Sequence, residues 1–155
     1  MKPGGGRSKG AAFEREVASL LYDRLGIKFR RELTQYQMSG LGDLVPIDDI
    51  PDWPFVIECK RYKEGSIQPK WWGQVITAAR KAELFPALIV RFDRRDIVCR
   101  VPIDCFEKMV GGPYKHGFHR SCDVDFGTFC YLTRELLAAA NKERIIRENR
   151  DCITS

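Results

Sequence analysis

The alternation of apolar and polar positions along the chain predicts one mixed α/β domain. Apolar residues recur at helical spacing after Ser8, a plausible N-cap, and this helix is predicted to stop at Gly26. A second helix is predicted over 67–84. Short apolar, β-branched segments predict five strands, over 27–33, 43–47, 54–60, 86–92 and 97–101. The last two of these strands are expected to form a hairpin. The order of these elements indicates helices packed around a single sheet.

The pattern weakens after Val101. It favours a short helix over 102–109, an irregular strand within 111–127, and a C-terminal helix over 133–150 that covers the sheet or mediates dimerisation. We therefore expect one domain over 9–155 with a C-terminal extension after about 101. Residues 1–8 are rich in glycine and carry Lys2 and Arg7, so they are expected to form a flexible basic arm.

Composition limits the classes of protein to consider. With 155 residues, of which 44% are hydrophobic, the chain can bury one core. Its apolar runs are far shorter than the roughly 18 residues that indicate a membrane span, and its start lacks the apolar segment of a secretory signal. The six cysteines include no C-x-x-C pair and are expected to be free thiols. These features favour a cytoplasmic protein, of a cell or of a phage inside its host.

One group of residues has spacing compatible with a zinc site. It comprises His116, His119, Cys122 and Cys130. Structural zinc sites usually show tighter paired ligands, and the segment also fits an ordinary loop and hairpin. Zinc therefore remains the weaker interpretation.

The net charge of +5 is distributed unevenly. Between positions 60 and 81 the basic residues are opposed only by Glu64, and the N-terminal segment adds further positive charge. Two basic segments of this kind suit an anionic polymer, because contacts to phosphates supply most sequence-independent binding of nucleic acid. The predicted DNA-binding residues are Lys2, Arg7, Lys9, Arg61, Lys63 and Lys70.

The strongest candidate site lies at the end of the strand predicted over 54–60. Glu58 and Lys60 are two residues apart, so their side chains leave the same face of the strand. The preceding apolar residues indicate a buried strand, where charged groups need a reason. Asp43 begins the strand predicted over 43–47, and Glu14 lies at the edge of the apolar stripe of the first helix. Asp48, Asp49 and Asp52 are alternatives to Asp43 that the sequence leaves open.

These residue types suit metal-dependent hydrolysis of a phosphodiester. A hard cation held by oxygen ligands lowers the pKa of its bound water and neutralises developing charge. Mg²⁺ needs only one or two protein carboxylates, so Asp43 and Glu58 suffice, and the backbone carbonyl of Cys59 is a natural extra ligand. Mn²⁺ suits the same oxygen-rich site. Lys60 would orient or deprotonate the attacking water, or neutralise the transition state.

The set of Asp43, Glu58 and Lys60 resembles the PD-(D/E)xK nuclease motif, and Lys9-Gly-Ala-Ala-Phe-Glu14-Arg15 is similar to the start of archaeal-type Holliday junction resolvases. The similarity covers about residues 7 to 101. It implies a restriction-endonuclease-like mixed sheet flanked by helices, a homodimer, and a four-way DNA junction as substrate. It also implies that Glu14 joins the metal cluster and that Ser39 and Gln74 assist catalysis. Gly42 stands where family members more often have proline.

Two other functions remain open at this point. One is a repair or restriction-type nuclease of the same superfamily that acts on linear duplex or flaps. The other is a DNA-binding protein that keeps the fold without catalysis, including a zinc-stabilised module.

Overall fold

The computed structural model describes residues 5–33, 42–112, 118 and 120–154. The elements in chain order are α1 (Gly5–Leu25), β1 (Phe29–Arg31), β2 (Leu44–Pro46), β3 (Phe55–Tyr62), α2 (Pro69–Ala82), β4 (Phe85–Phe92), β5 (Val98–Pro102), α3 (Asp104–Met109), β6 (Ser121–Asp125) and α4 (Phe126–Thr154). The predicted mixed α/β sheet with flanking helices is confirmed. Among the described residues, no helix is both long and apolar enough to cross a membrane.

The six strands form one sheet in the order of the chain, β1-β2-β3-β4-β5-β6. Only β3 and β4 run parallel, because α2 carries the chain back between them; the other neighbours are antiparallel. The β4–β5 hairpin agrees with the prediction. The irregular strand expected within 111–127 is a regular edge strand, β6, paired with β5 from Ser121 to Asp125. The central strand β3 is therefore hydrogen-bonded to a neighbouring strand on each side, β2 and β4.

Helices α2 and α4 cover opposite faces of β3. The ring of Phe55 contacts that of Phe129 in α4 at a centroid distance of 5.1 Å. The ring of Tyr62 stacks on that of Trp71 in α2 at 4.6 Å. Since odd and even residues of a strand point to opposite faces, α2 lies on the even-numbered face, which is also the face of Glu58 and Lys60.

Helix α1 buries Phe13, Val17 and Leu21, each one turn from the next. It ends as predicted at Gly26, whose φ is 70° and whose N–H donates to the carbonyl of Tyr22 at 2.8 Å. Its start differs from the prediction, because the helix begins at Gly5 and residues 5–8 are helical rather than part of a flexible arm. Packing of α1 supplies the costly helix nucleus, and extension by a few residues then requires little.

Helix α4 is longer than the predicted 133–150. It begins at Phe126 because the Asp125 carboxylate accepts the N–H of Thr128 at 2.6 Å, which satisfies an N-terminal donor of the helix. Its buried side chains extend only to Leu136, and Ile145 and Ile146 are exposed. The first part of α4 therefore covers the sheet, and the last part projects beyond the core.

Candidate active site

Strand β3 presents Glu58 and Lys60 together on the face covered by α2. The Lys60 ammonium nitrogen lies 3.4 Å from Glu58 Oε1, and each side chain is 23% exposed. The preceding residues Phe55, Val56 and Ile57 are buried. Both charged groups thus emerge from the interior of the sheet while remaining within reach of solvent.

Asp43 lies directly before β2 and is held against β3 by two hydrogen bonds. Its backbone N–H donates to the Ile57 carbonyl at 2.7 Å, and its Oδ2 accepts the N–H of Cys59 at 2.8 Å. Its side chain is buried, with 4% exposure. The alternatives are exposed, and one of them, Asp52, pairs instead with Arg144 at 3.4 Å. Asp43 is therefore the aspartate that the fold brings beside Glu58.

The residue before Asp43 has to be glycine in this backbone. Gly42 has a φ of +82°, and a Cβ there would lie 2.3 Å from the Ile57 carbonyl oxygen. Proline fixes φ near −65°, so it does not fit this position. The departure from the family pattern thus has a steric cause, the close approach of the chain to β3.

Glu14 forms an ion pair with Arg31, a partner that was not predicted from the sequence. The Arg31 Nε donates to Glu14 Oε2 at 2.5 Å, and the two side chains are 28% and 16% exposed. A signal was present, since Arg31 lies two residues after the buried Phe29 and therefore on the same face of β1. A charge on the buried face of a strand requires a partner.

The carboxylates of this site influence one another. Burial, followed by the negative charge of Asp43, raises the pKa of Glu58 from 4.5 to about 7; Glu14 adds to this effect and Lys60 opposes it. Burial and the same three carboxylates raise the pKa of the Cys59 thiol well above its usual value. Asp43, Glu58 and Glu14 therefore form one electrostatic cluster around β3.

The donor chemistry of this cluster fits a hard divalent cation. Within the described part of the chain, no three His, Cys, Asp or Glu side chains are close enough together to hold a metal ion. Asp43 and Glu58 alone satisfy the protein share of a Mg²⁺ site, because this ion usually keeps several waters. The role of the Cys59 carbonyl as a ligand stays a prediction.

A protein-family model matches most of this chain. Residues 5–145 match the family described as "Phage putative PDDEXK endonuclease". This chain belongs to that family. The chain is also similar to a solved structure from Archaeoglobus fulgidus, Hjc, a Holliday junction resolvase from an archaeal hyperthermophile. The identity is 16% and the TM-score 0.48, over 81% of this chain and 98% of that one. Comparison with curated proteins finds no match.

The remaining predicted site residues of this PDDEXK family member lie away from the carboxylate cluster or outside the described residues. Ser39 lies outside the described residues, as do His116 and His119 of the suggested zinc site. Gln74 lies on the exposed side of α2, so its role stays a prediction. Cys122 and Cys130 are free thiols.

The predicted DNA-binding residues include a basic cluster around Asp93. The Lys9 ammonium and Arg61 Nη2 lie 3.0 and 2.8 Å from Asp93 Oδ1. A hydrogen bond from Lys9, with the charges of Lys9, Arg61 and Lys63, lowers the pKa of Asp93. Asp93 was not among the predicted site residues, and it lies between the two strands of the predicted hairpin.

The remaining predicted DNA contacts are less fully described. Lys70 is exposed in the first turn of α2. Arg7 belongs to α1 rather than to an arm, and Lys2 lies outside the described residues.

Proposed function

We propose that this PDDEXK endonuclease is a Mg²⁺-dependent endodeoxyribonuclease, also active with Mn²⁺, that resolves four-way DNA junctions as a homodimer. It would act in the cytoplasm, and a protein encoded by a phage would act in the cytoplasm of the host cell. The single observation that carries the proposal is the convergence of Asp43, Glu58 and Lys60 on a buried central strand beside Glu14.

Holding these charged groups together on a buried strand costs folding free energy, so the arrangement indicates a function. Like charges held together at a partly buried position destabilise each other, and the three carboxylates are opposed by Lys60 beside Glu58 and by Arg31 beside Glu14. A divalent cation would compensate the excess negative charge. Groups with perturbed pKa values, such as Glu58, cluster at functional sites.

Asp43 and Glu58 would hold the metal, with the Cys59 carbonyl as a further oxygen ligand. When bound, the ion lowers the pKa of a coordinated water and neutralises charge on the phosphodiester. Glu14, which Arg31 holds at 2.5 Å, would have to move closer to Asp43 and Glu58 to join the metal cluster from α1. The resemblance noted above assigns assisting roles to Ser39 and Gln74.

Lys60 would act on the substrate directly. Its ammonium is held by Glu58 at 3.4 Å, at the edge of the carboxylate cluster. From there it can donate a hydrogen bond to a phosphate oxygen or orient the attacking water. Either role places positive charge where negative charge increases in the transition state.

DNA would be held in part by basic residues beyond the carboxylate cluster. Lys9, Arg61 and Lys63 gather near Asp93 at the end of β3 and β4, and the net charge of the chain is +5. Such contacts position the phosphate backbone without reading sequence. Resolution of a junction requires two symmetric cuts, which a two-fold homodimer provides by geometry.

The proposal is tested by metal-dependent cleavage of a labelled four-way junction by the wild type, Asp43→Asn and Asp49→Asn. Asp49 is an exposed aspartate of the segment between β2 and β3 and serves as the matched control. We expect Asp43→Asn to reduce the cleavage rate at least about a hundredfold. Junction binding in calcium buffer should be nearly unchanged, because no phosphate contact is removed.

Three results would contradict this assignment. They are cleavage that persists in EDTA, an Asp49→Asn variant as impaired as Asp43→Asn, and binding that is lost in parallel with cutting. If the wild type binds the junction but never cuts it with Mg²⁺ or Mn²⁺, the protein is a non-catalytic binding protein.

A further inference from the structure

Tyr62 ends β3 on the face that carries the proposed active site. It lies two residues after Lys60 and four after Glu58, so the three side chains leave the same face of the strand. Its side chain is 44% exposed, although the strand is otherwise largely buried. An aromatic ring is thus accessible beside the groups that would act on a phosphodiester.

Trp71 packs against one face of the Tyr62 ring. The Tyr62 and Trp71 rings stack with centroids 4.6 Å apart and planes 16° from parallel. Trp71 belongs to α2 and is itself only 5% exposed. The indole therefore covers the inner face of Tyr62 and leaves the outer face toward solvent. A ring held in this way loses little conformational entropy when a ligand stacks on it.

Positive charges flank this aromatic face. Lys60 precedes it on the same strand, and Phe92 is the register partner of Tyr62 in β4. The Arg95 guanidinium lies over the Phe92 ring at 5.8 Å from its centroid. A nucleotide whose base stacks on Tyr62 would therefore find cations for its adjoining phosphates, and this combination of stacking and basic groups suits single-stranded nucleic acid.

We propose that Tyr62 is a stacking platform for an unpaired nucleobase next to the scissile phosphate. The inference rests on the proposed function and deepens it, because it names the feature of DNA that the site selects. Every base of a regular duplex is already stacked on its neighbours, and offering a face to Tyr62 requires unstacking. A branch point or a single-stranded end offers such a base at lower energetic cost.

The direct test uses a four-way junction with 2-aminopurine at each branch-point position in turn, and a linear duplex of the same sequence. Fluorescence and affinity are measured in EDTA, so no cleavage is needed. We expect wild-type protein to quench the probe at one or more branch positions and to leave the duplex probe unchanged. Absence of quenching with saturating wild-type protein would overturn the proposal without any variant.

Variants then assign the effect to the tyrosine. Tyr62→Phe should retain quenching, whereas Tyr62→Leu should lose it and weaken junction binding about 5- to 100-fold, the range typical of one stacked base. Duplex binding should change less than about twofold. Tyr131→Leu, which removes an exposed tyrosine of α4, is the matched control. Equal weakening of junction and duplex binding by Tyr62→Leu, in protein that remains folded by thermal unfolding, would overturn the proposal.

The outcome is separable from that of the proposed function. Quenching without any metal-dependent cutting would keep the platform and reject the nuclease. Cutting without quenching would keep the nuclease and reject the platform.

Discussion

Replacing Glu58 by glutamine should stabilise the metal-free protein at alkaline pH. Burial and the charge of Asp43 raise the pKa of Glu58 from 4.5 to about 7. Below pH 4.5 the carboxyl is protonated in both folded and unfolded states. As the pH rises toward 7, the unfolded state releases its proton while the folded state keeps it, so the free energy of unfolding decreases. Above pH 7 the folded protein carries the full unfavourable charge.

The size of the effect has an upper limit set by this pKa. The difference between 4.5 and about 7 corresponds to about 3 kcal/mol. Partial exposure of the side chain and loss of the favourable contact with Lys60 reduce the gain, and we expect about 1–2 kcal/mol. For a domain of this size that is a rise of roughly 2–8 °C in Tm.

The assay is thermal or urea unfolding of the wild type and Glu58→Gln in EDTA at pH 5 and pH 8. The variant should be more stable at pH 8, with most of the difference gone at pH 5. Glu64→Gln, at an exposed position, should change stability at neither pH. A variant that is destabilised at both pH values, or whose difference is independent of pH, would refute the electrostatic reasoning. Addition of Mg²⁺ should stabilise the wild type more than the variant.

Three further results are expected. Gly42→Ala should destabilise the protein by about 2 kcal/mol or more in urea unfolding, because its Cβ would meet the Ile57 carbonyl at 2.3 Å and φ is +82°. Asp93→Asn should tighten DNA binding and steepen its salt dependence, since it releases basic groups toward phosphates. Iodoacetamide, followed by mass spectrometry, should label the exposed Cys152 and spare Cys59, because burial raises the pKa of the Cys59 thiol.

Each of these expectations has a matched control and a contrary outcome. Gly73→Ala, in α2 with open space around its Cβ, should be tolerated; a tolerated Gly42→Ala would contradict the steric argument. Asp96→Asn adds the same charge elsewhere in the hairpin, and an equal effect on affinity would show that Asp93 has no special position. Comparable labelling of the buried and exposed thiols in folded protein would contradict the burial of Cys59.

The sequence predicted the central part of the fold well because two periodicities coincide there. The β-branched run of β3 and the helical spacing of α1 each bury residues that the pattern marks as apolar, such as Ile57 and Val17. The same run made Glu58 and Lys60 conspicuous as charges in a buried strand. Local pattern and tertiary environment agreed at these positions, so the prediction needed no knowledge of distant contacts.

The rest depended on contacts between distant segments. Choosing Asp43 over its neighbours required the hydrogen bond to Cys59, sixteen residues away. The partnership of Arg31 with Glu14 and that of Lys9 with Asp93 join residues 17 and 84 positions apart. The start of α4 depended on an aspartate cap rather than on apolar spacing. Periodicity does not predict such pairings, since it indicates which face of an element is buried but not which residues of other elements pack against that face.

Junction resolution is tested most directly by mapping the cuts that the purified protein makes with Mg²⁺ in a labelled four-way junction and in a linear duplex of matched sequence. A dimeric junction resolvase should make paired, symmetric nicks near the branch point of the junction and cut the duplex little. Equal cutting of both substrates would contradict junction resolution and leave a general nuclease, and no cutting of either with Mg²⁺ or Mn²⁺ would contradict the catalytic assignment itself.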